Sequence, residues 1–166
     1  MKLRNMASII IRDENKVLLL HKQTCYHGKP MWIPGAGGHF EDGEMNDPET
    51  CLWREVKEEL GLTPEAFENV KLRYIAFRNS GEQIRINYYY FGCLREGIDR
   101  NLENSEGELH WFTLEDSLNC DMPLSFGACF NHYLDVGHCN DHVYVAVGTT
   151  NSDGNVEHMI TPLMVY

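Results

Sequence analysis

Residues 37–62, GGHFEDGEMNDPETCLWREVKEELGL, constrain the fold more than any other stretch of the chain. Asp47-Pro48 reads as a helix start. The Asp47 carboxylate can accept a hydrogen bond from a free N–H of the first turn, and Pro48 suits the first helical position. The helix is expected to run to Leu60 and to stop at Gly61, which can take the left-handed cap conformation. Leu52, Val56 and Leu60 recur every four residues, with Trp53 beside them, so this stripe faces a core. Glu55, Glu58 and Glu59 sit three and four apart and crowd one face next to the stripe.

Such a carboxylate cluster does not serve stability. Like charges at this spacing repel, and acids near a helix C-terminus oppose its dipole, each costing about a few tenths of a kcal/mol at an exposed site. A bound divalent cation reverses the sign. Hard ions such as Mg²⁺ take carboxylate oxygens and keep waters and substrate phosphates as further ligands. A solvated acidic face is the ordinary alternative. Here Trp32-Ile33-Pro34-Gly35-Ala36-Gly37-Gly38 precedes the helix and reads as a glycine loop, which lets backbone approach an anionic ligand.

The stretch resembles the Nudix box, G-x5-E-x7-R-E-U-x-E-E-x-G-U, where U is apolar. Gly38, Glu44, Arg54, Glu55, Val56, Glu58, Glu59, Gly61 and Leu62 match it. The gap between Glu44 and Arg54 holds nine residues rather than seven, and the extra two fall in Met45 to Pro48, before the helix. A loop insertion there is tolerable. The resemblance implies an α/β fold, an α/β/α sandwich with a central mixed β-sheet, and hydrolysis of a nucleoside diphosphate linked to another group. It implies Glu55 and Glu59 as the main metal ligands, Glu58 in support, the carbonyl of Gly37 as a further ligand, and Arg54, paired to Glu44, as the group that orients the acids. The implied cofactor is Mg²⁺, with Mn²⁺ as an alternative.

The chain has 166 residues and a net charge of −11. That length suits one domain over 1–166. The charge argues against a nucleic-acid polymer as partner, since no basic patch is apparent; a small nucleotide remains compatible, because a metal supplies local positive charge. No apolar run approaches the ~20 residues that span a bilayer. The N-terminus, MKLRNMASIIIRDENK, is no convincing signal peptide. Six scattered cysteines read as reduced thiols, which suits the cytoplasm. Oligomeric state stays open, a homodimer included.

Strands are expected over residues 6–12 and 16–22, around a turn at Asp13-Glu14-Asn15, and over 70–78 and 83–95, around Asn79-Ser80-Gly81-Glu82. Residues 23–31 read as a loop. The 83–95 strand alternates, with Ile84, Ile86, Tyr88 and Tyr90 on one face and Arg85, Asn87 and Tyr89 on the other. Aromatic faces can stack a base, although tyrosines in strands are more often packing. Residues 96–107 read as a polar loop, followed by a short strand at Leu109 to Thr113 and a helical turn at Leu114 to Leu118. Glu106, five residues before Trp111, lies where MutT-like members place a further metal-ligand or base glutamate; Glu108 competes for that role, and a surface acid is the plain alternative. Leu124 to Leu134 reads as a second helix, and 143–147 with 156–160 as a closing hairpin. Cys129, His132, Cys139 and His142 have zinc-like spacing, although a core of this size needs no structural metal.

The later segments loosely resemble MutT-like 8-oxo-dGTP diphosphatases. ADP-ribose hydrolases of the family often carry a proline some fifteen residues after the box, and diadenosine polyphosphate hydrolases a tyrosine in that window; residues 75–80, IAFRNS, have neither. A nucleoside triphosphate, 8-oxo-dGTP among them, is therefore the first expectation, with ADP-ribose or a nucleotide sugar as the alternative. A Nudix-fold sensor that binds without turnover is a reading from another class, and the three intact acids argue against it.

Overall fold

The computed structural model describes residues 1–24 and 28–165; Cys25, Tyr26 and His27, in the expected 23–31 loop, lie outside the described residues. Among the described residues, nine strands form one mixed sheet. They are β1 (Lys2–Asp13), β2 (Lys16–Lys22), β3 (Met31–Pro34), β4 (Ala36–His39), β5 (Phe67–Asn79), β6 (Gln83–Leu94), β7 (Glu108–Thr113), β8 (Tyr144–Thr150) and β9 (Val156–Pro162). The main path runs β3-β2-β1-β6-β5-β8-β9, with β4 paired to β1 and β7 to β2. The β1–β6 and β5–β8 pairs are parallel, and the others are antiparallel. The helices are α1 (Pro48–Leu60), a single turn α2 (Leu114–Ser117) and α3 (Leu124–Asp135).

Strand periodicity explains why both faces need cover. Along β1, Ala7, Ile9 and Ile11 point one way and Ile10 the other, and all four are fully buried. Cys51, Leu52 and Val56 of α1 close the first face; Phe126, Cys129, Phe130 and Tyr133 of α3 close the second. The result is an α/β/α sandwich. Helix α1 starts and stops as its sequence dictates: Asp47 accepts from the Thr50 N–H at 3.1 Å, and Gly61 takes φ 67° and donates to the Lys57 carbonyl.

Three expectations about backbone need correction. Residues 32–38 are not a free glycine loop: β3 pairs with β2, and β4 pairs with β1 in the register Ser8↔Gly37 and Ala7↔Gly38. Tertiary pairing overrides the low strand propensity of glycine. Strand β1 also begins at Lys2, before the apolar run, because Lys2, Leu3 and Arg4 pair with Gln83, Ile84 and Arg85 of β6. Strand β5 likewise begins at Phe67, before the expected 70, with irregularities between Glu68 and Lys71 and between Leu72 and Tyr74.

Candidate active site

The two extra residues before α1 leave the Glu44–Arg54 pairing intact. Successive turns absorb them, with the Glu44 N–H donating to the Glu41 carbonyl and the Asp47 N–H to the Glu44 carbonyl. Arg54 then acts as a hub. Its Nε and Nη2 hold the two oxygens of Glu44 at 2.8 and 3.0 Å, Nη2 donates to the His39 carbonyl at 2.9 Å, and Nη1 reaches Glu55 at 2.8 Å and Glu58 at 3.3 Å. Glu44 is 6% exposed. The Arg54 guanidinium, aided by the Glu41 N–H, brings its carboxyl down to about 2.

Glu55 and Glu59 have the opposite character. Burial raises the Glu55 carboxyl above its ordinary value, despite the bond from Arg54. Burial raises Glu59 to about 7, against the bonds it accepts from Asn104 and the Gly37 N–H and with the neighbouring charges of Glu106 and Glu55 adding to the rise. The Gly37 N–H donates to Glu59 Oε2 at 3.2 Å, and Asn104 Nδ2 donates to the same oxygen at 3.1 Å. Gly38 lies against Glu55: a Cβ there would overlap the Glu55 carboxylate, and a Cβ at Gly37 would overlap Ser8. Gly38 therefore makes room for a carboxylate against strand β4, and Gly37 for the close approach of β1, packing reasons that the sequence alone does not show.

Glu106 joins this group from the loop before β7. Its charge acts on both Glu55 and Glu59, its N–H donates to Asn104 Oδ1 at 2.7 Å, and its carboxylate pairs with Lys22 at 2.5 Å. Glu108 instead sits on β7 opposite His21 and is exposed. Asn104 was not expected. It ties Glu59, the Glu106 backbone and the Gly35 carbonyl together, the last at 3.1 Å. No pattern in 96–107 marks it, since its partners lie up to 69 residues away.

Every carboxylate of the group is thus turned to a protein partner. With these side-chain orientations, no three acidic, imidazole or thiol groups among the described residues converge to hold an ion. The residues nevertheless fit a hard divalent cation. The donors are oxygens, two of the acids are desolvated in a way that nearby positive charge would relieve, and Gly38 lets the Glu55 carboxylate lie where a Cβ would otherwise exclude it. The zinc-like set fits no metal in this arrangement. Cys129 is buried in the α3-side core with its thiol pushed up to about 12, His132 Nδ1 lies 2.7 Å from the Tyr74 hydroxyl, and Cys139 contacts His138. The five described cysteines are free.

Of the acids, Glu59 helps to line a cleft of about 330 Å³, together with Gly37. Its floor is the face of β1 and β6 that carries Met6, Ser8, Asn87 and Tyr89, and Ser125 and Phe126 at the start of α3 form a wall. Arg85, Asn87 and Tyr89 share this face as their alternation predicts, whereas Tyr88 and Tyr90 pack on the α1 side. Arg4, Lys22, Arg78 and Arg85 also line the cleft. The expectation that the chain has no basic patch is therefore wrong locally, because the fold collects cations from four strands. Burial, then Arg4, Arg85 and Lys22, hold the His39 imidazole below its usual range.

Comparison with known proteins agrees with this geometry. The NUDIX domain family matches residues 2–126. No curated protein matches the sequence. Among solved structures, a mutator MutT protein from Bacillus halodurans superposes with a TM-score of 0.68 at 22% identity, over 95% of this chain and 97% of that one. An Ap4A hydrolase from C. elegans gives 0.65 at 21%, over 82% and 99%. A MutT protein from Methanosarcina mazei Go1 gives 0.64 at 20%, over 82% and 96%. The chain belongs to the NUDIX family. Its class is that of the Nudix pyrophosphohydrolases. Among the described residues, no helix is long and apolar enough to cross a membrane.

Proposed function

We propose that the chain hydrolyses the diphosphate linkage between a nucleoside 5′-phosphate and a second group, and that a nucleoside triphosphate, cut to the monophosphate and pyrophosphate, is the first substrate to test. One observation carries this reading. Two desolvated carboxylates stand at the paired glycines, Glu55 against Gly38 and Glu59 on the Gly37 N–H, and Glu59 lines a cation-lined cleft. Glu55 and Glu59, supported by Glu58, Glu106 and the Gly37 carbonyl, would hold the divalent cation, Mg²⁺ in our reading with Mn²⁺ as an alternative. Such an ion supplies charge for the diphosphate oxygens and a more acidic water.

The chain's own groups do the rest. Arg54 is a positioning residue: it fixes Glu55 and Glu58 while its charge is answered by buried Glu44. Glu106, held by Lys22 and Asn104, would serve in one of two ways, as that further metal ligand or as the acceptor of a proton from the attacking water. Asn87 and Tyr89 offer an amide and a ring edge to the nucleoside. The chemistry demands positioning and charge stabilisation more than a covalent intermediate.

The test is turnover of dGTP, 8-oxo-dGTP, ADP-ribose, a nucleotide sugar and diadenosine tetraphosphate with Mg²⁺, reading released phosphate, pyrophosphate or monophosphate. The last is included because one structural neighbour is an Ap4A hydrolase. A triphosphate is expected to lead. If a diphosphate-linked sugar exceeds every triphosphate about tenfold in kcat/KM, the ADP-ribose or nucleotide-sugar reading replaces it. Tight binding without turnover of any of them would make the chain a sensor.

A further inference from the structure

A second pocket lies at the other end of the α3-side face. It has a volume of about 260 Å³ and shares no lining residue with the cleft at the acids. Helix α3 spans both: Phe126 at its start walls the cleft, and Tyr133 near its end lines this pocket. Strand β1 does the same, with Ser8 in the cleft and Arg12 in the pocket.

Two bulges in β5 supply the pocket's far wall. The strand carries one extra residue against β6 between Glu68 and Lys71, and another between Leu72 and Tyr74. Bulges re-aim side chains and recur beside functional sites. The first bears Asn69, at a left-handed φ of 56°, and the second bears Arg73; both side chains line the pocket.

Arg73 is 5% exposed. Its Nε donates to the His142 carbonyl at 3.0 Å, and its Nη2 donates to the carbonyls of Gly137 and Asn140 at 2.8 and 2.7 Å. Holding the turn at Gly137–Cys139 is the plain structural role of these bonds. Carbonyl oxygens answer only part of a full charge, and a buried charge without a counter-ion is costly. Arg12 donates to the Tyr133 hydroxyl at 3.0 Å and the Glu14 carbonyl at 3.2 Å, while its Nε is buried and meets no partner. Among the described residues, neither arginine has a carboxylate within ion-pair reach. Their guanidinium carbons lie 5.6 and 5.5 Å from the centre of the one Tyr133 ring. Lys71 adds a third cation, paired at 2.8 Å with Asp141, the one carboxylate that lines the pocket. Glu68 lies nearby, two strands from Arg12 across Cys93, but it is exposed and outside the lining. In a chain of net charge −11, this concavity therefore keeps unanswered positive charge.

We infer that this pocket is a second anion site, separate from the cleft at the acids, and that Arg12 and Arg73 there hold a phosphate group, as the free ion or as the head of a small phosphomonoester. Guanidinium forks match phosphate oxygens in pairs, and a dianion answers two arginines where a carboxylate answers one. Pockets for larger organic ligands run from about 300 Å³ upward, so this one suits a compact group. The inference does not rest on the hydrolase reading.

Titration of the ¹⁵N-labelled full chain in EDTA tests it, with inorganic phosphate, glycerol 3-phosphate and acetate at constant ionic strength. The amide signals of Gly92 and Cys93 report this pocket, and those of Gly37 and Asn87 report the cleft. Both phosphates are expected to move Gly92 and Cys93 saturably and to bind about tenfold or more tighter than acetate. Arg12→Gln should weaken that binding about tenfold with an unchanged thermal midpoint. Arg73→Lys keeps the charge and loses the fork, so it should weaken phosphate too; if it fails to fold, Arg12→Gln still decides. Tighter binding of glycerol 3-phosphate assigns the site to an esterified group and tighter inorganic phosphate to the free ion, and either order supports the inference. Shifts confined to Gly37 and Asn87, no saturation at Gly92 and Cys93, acetate binding as tightly as phosphate, or an unchanged Kd in Arg12→Gln would each overturn it.

Discussion

Glu59 is held where folding disfavours its charge. Its carboxyl rises to about 7 from an ordinary 4.5, chiefly through burial. The metal-free fold keeps a proton that the unfolded chain releases. That contribution to stability is present below 4.5 and is lost as pH rises toward 7. Glu59→Gln removes the penalty, so in EDTA its thermal midpoint is expected to exceed that of the parent at pH 8, with the gap closing toward pH 4.5. The same variant, and Glu55→Gln, are expected to lose roughly 10²–10³ in kcat at saturating Mg²⁺. Near-parental turnover by either would sink the ligand assignment. Glu44 has the opposite sign. Its carboxyl, brought down to about 2 by Arg54, stabilises the fold above 4.5, and that contribution is lost as pH falls toward 2. Glu44→Gln is therefore expected to flatten the acid limb of a stability–pH curve measured by urea unfolding, and an unchanged limb would show the pair to be energetically idle.

At the scale of elements, helix α1 against strand β4 is the unit that makes the site, and half of it was legible in the sequence. The Asp47 cap, the Gly61 stop, the Leu52 and Val56 stripe and the grouping of the acids all follow from local patterns and reappear in the structure. The strand character of 36–39 does not, because it depends on Ser8 and Ala7, about thirty residues earlier. The closeness of Gly38 to Glu55 is hidden for the same reason. Gly38→Ala tests it: the added methyl overlaps only the end of a flexible side chain. The protein is expected to stay folded while kcat falls by about tenfold or more as Glu55 is displaced. Full activity with an unshifted Mg²⁺ dependence would show that this close approach is not needed. Asn104 was illegible for a related reason, its three partners being scattered between Gly35 and Glu106. Asn104→Ala frees the Glu106 loop and removes a donor from Glu59. It is expected to lower kcat and raise the Mg²⁺ concentration needed for half-activity, with little change in the thermal midpoint.

Across the whole molecule, one sheet carries two cores. Alternate residues of β1 send Ile9 and Ile11 toward α1 and Ile10 toward α3. The sequence announces this as a continuous apolar run, the mark of a strand buried on both faces. It does not announce the parallel β1–β6 pairing, which joins Lys2 to Gln83 across the chain and brings Arg4 beside Arg85. That pairing is why a chain of net charge −11 can present a cationic cleft floor. It also couples the two cores, since neither helix can lose its face of the sheet without exposing strands that the other helix uses. Phe130 and Leu52, both fully buried, sit on opposite sides. Truncation to alanine is expected to cost about 3–5 kcal/mol at Phe130 and about 2–5 kcal/mol at Leu52. Each variant should still unfold in one step, with tryptophan fluorescence and far-ultraviolet circular dichroism giving the same urea midpoint. Tryptophans suit the comparison: Trp53 packs with the α1-side core, whereas Trp32 packs with the α3-side core. If Phe130→Ala separates the two signals, so that Trp53 reports a later transition than Trp32 in single-tryptophan backgrounds, the α1 side holds together without α3. The acid site would then rest on a unit smaller than the full sheet.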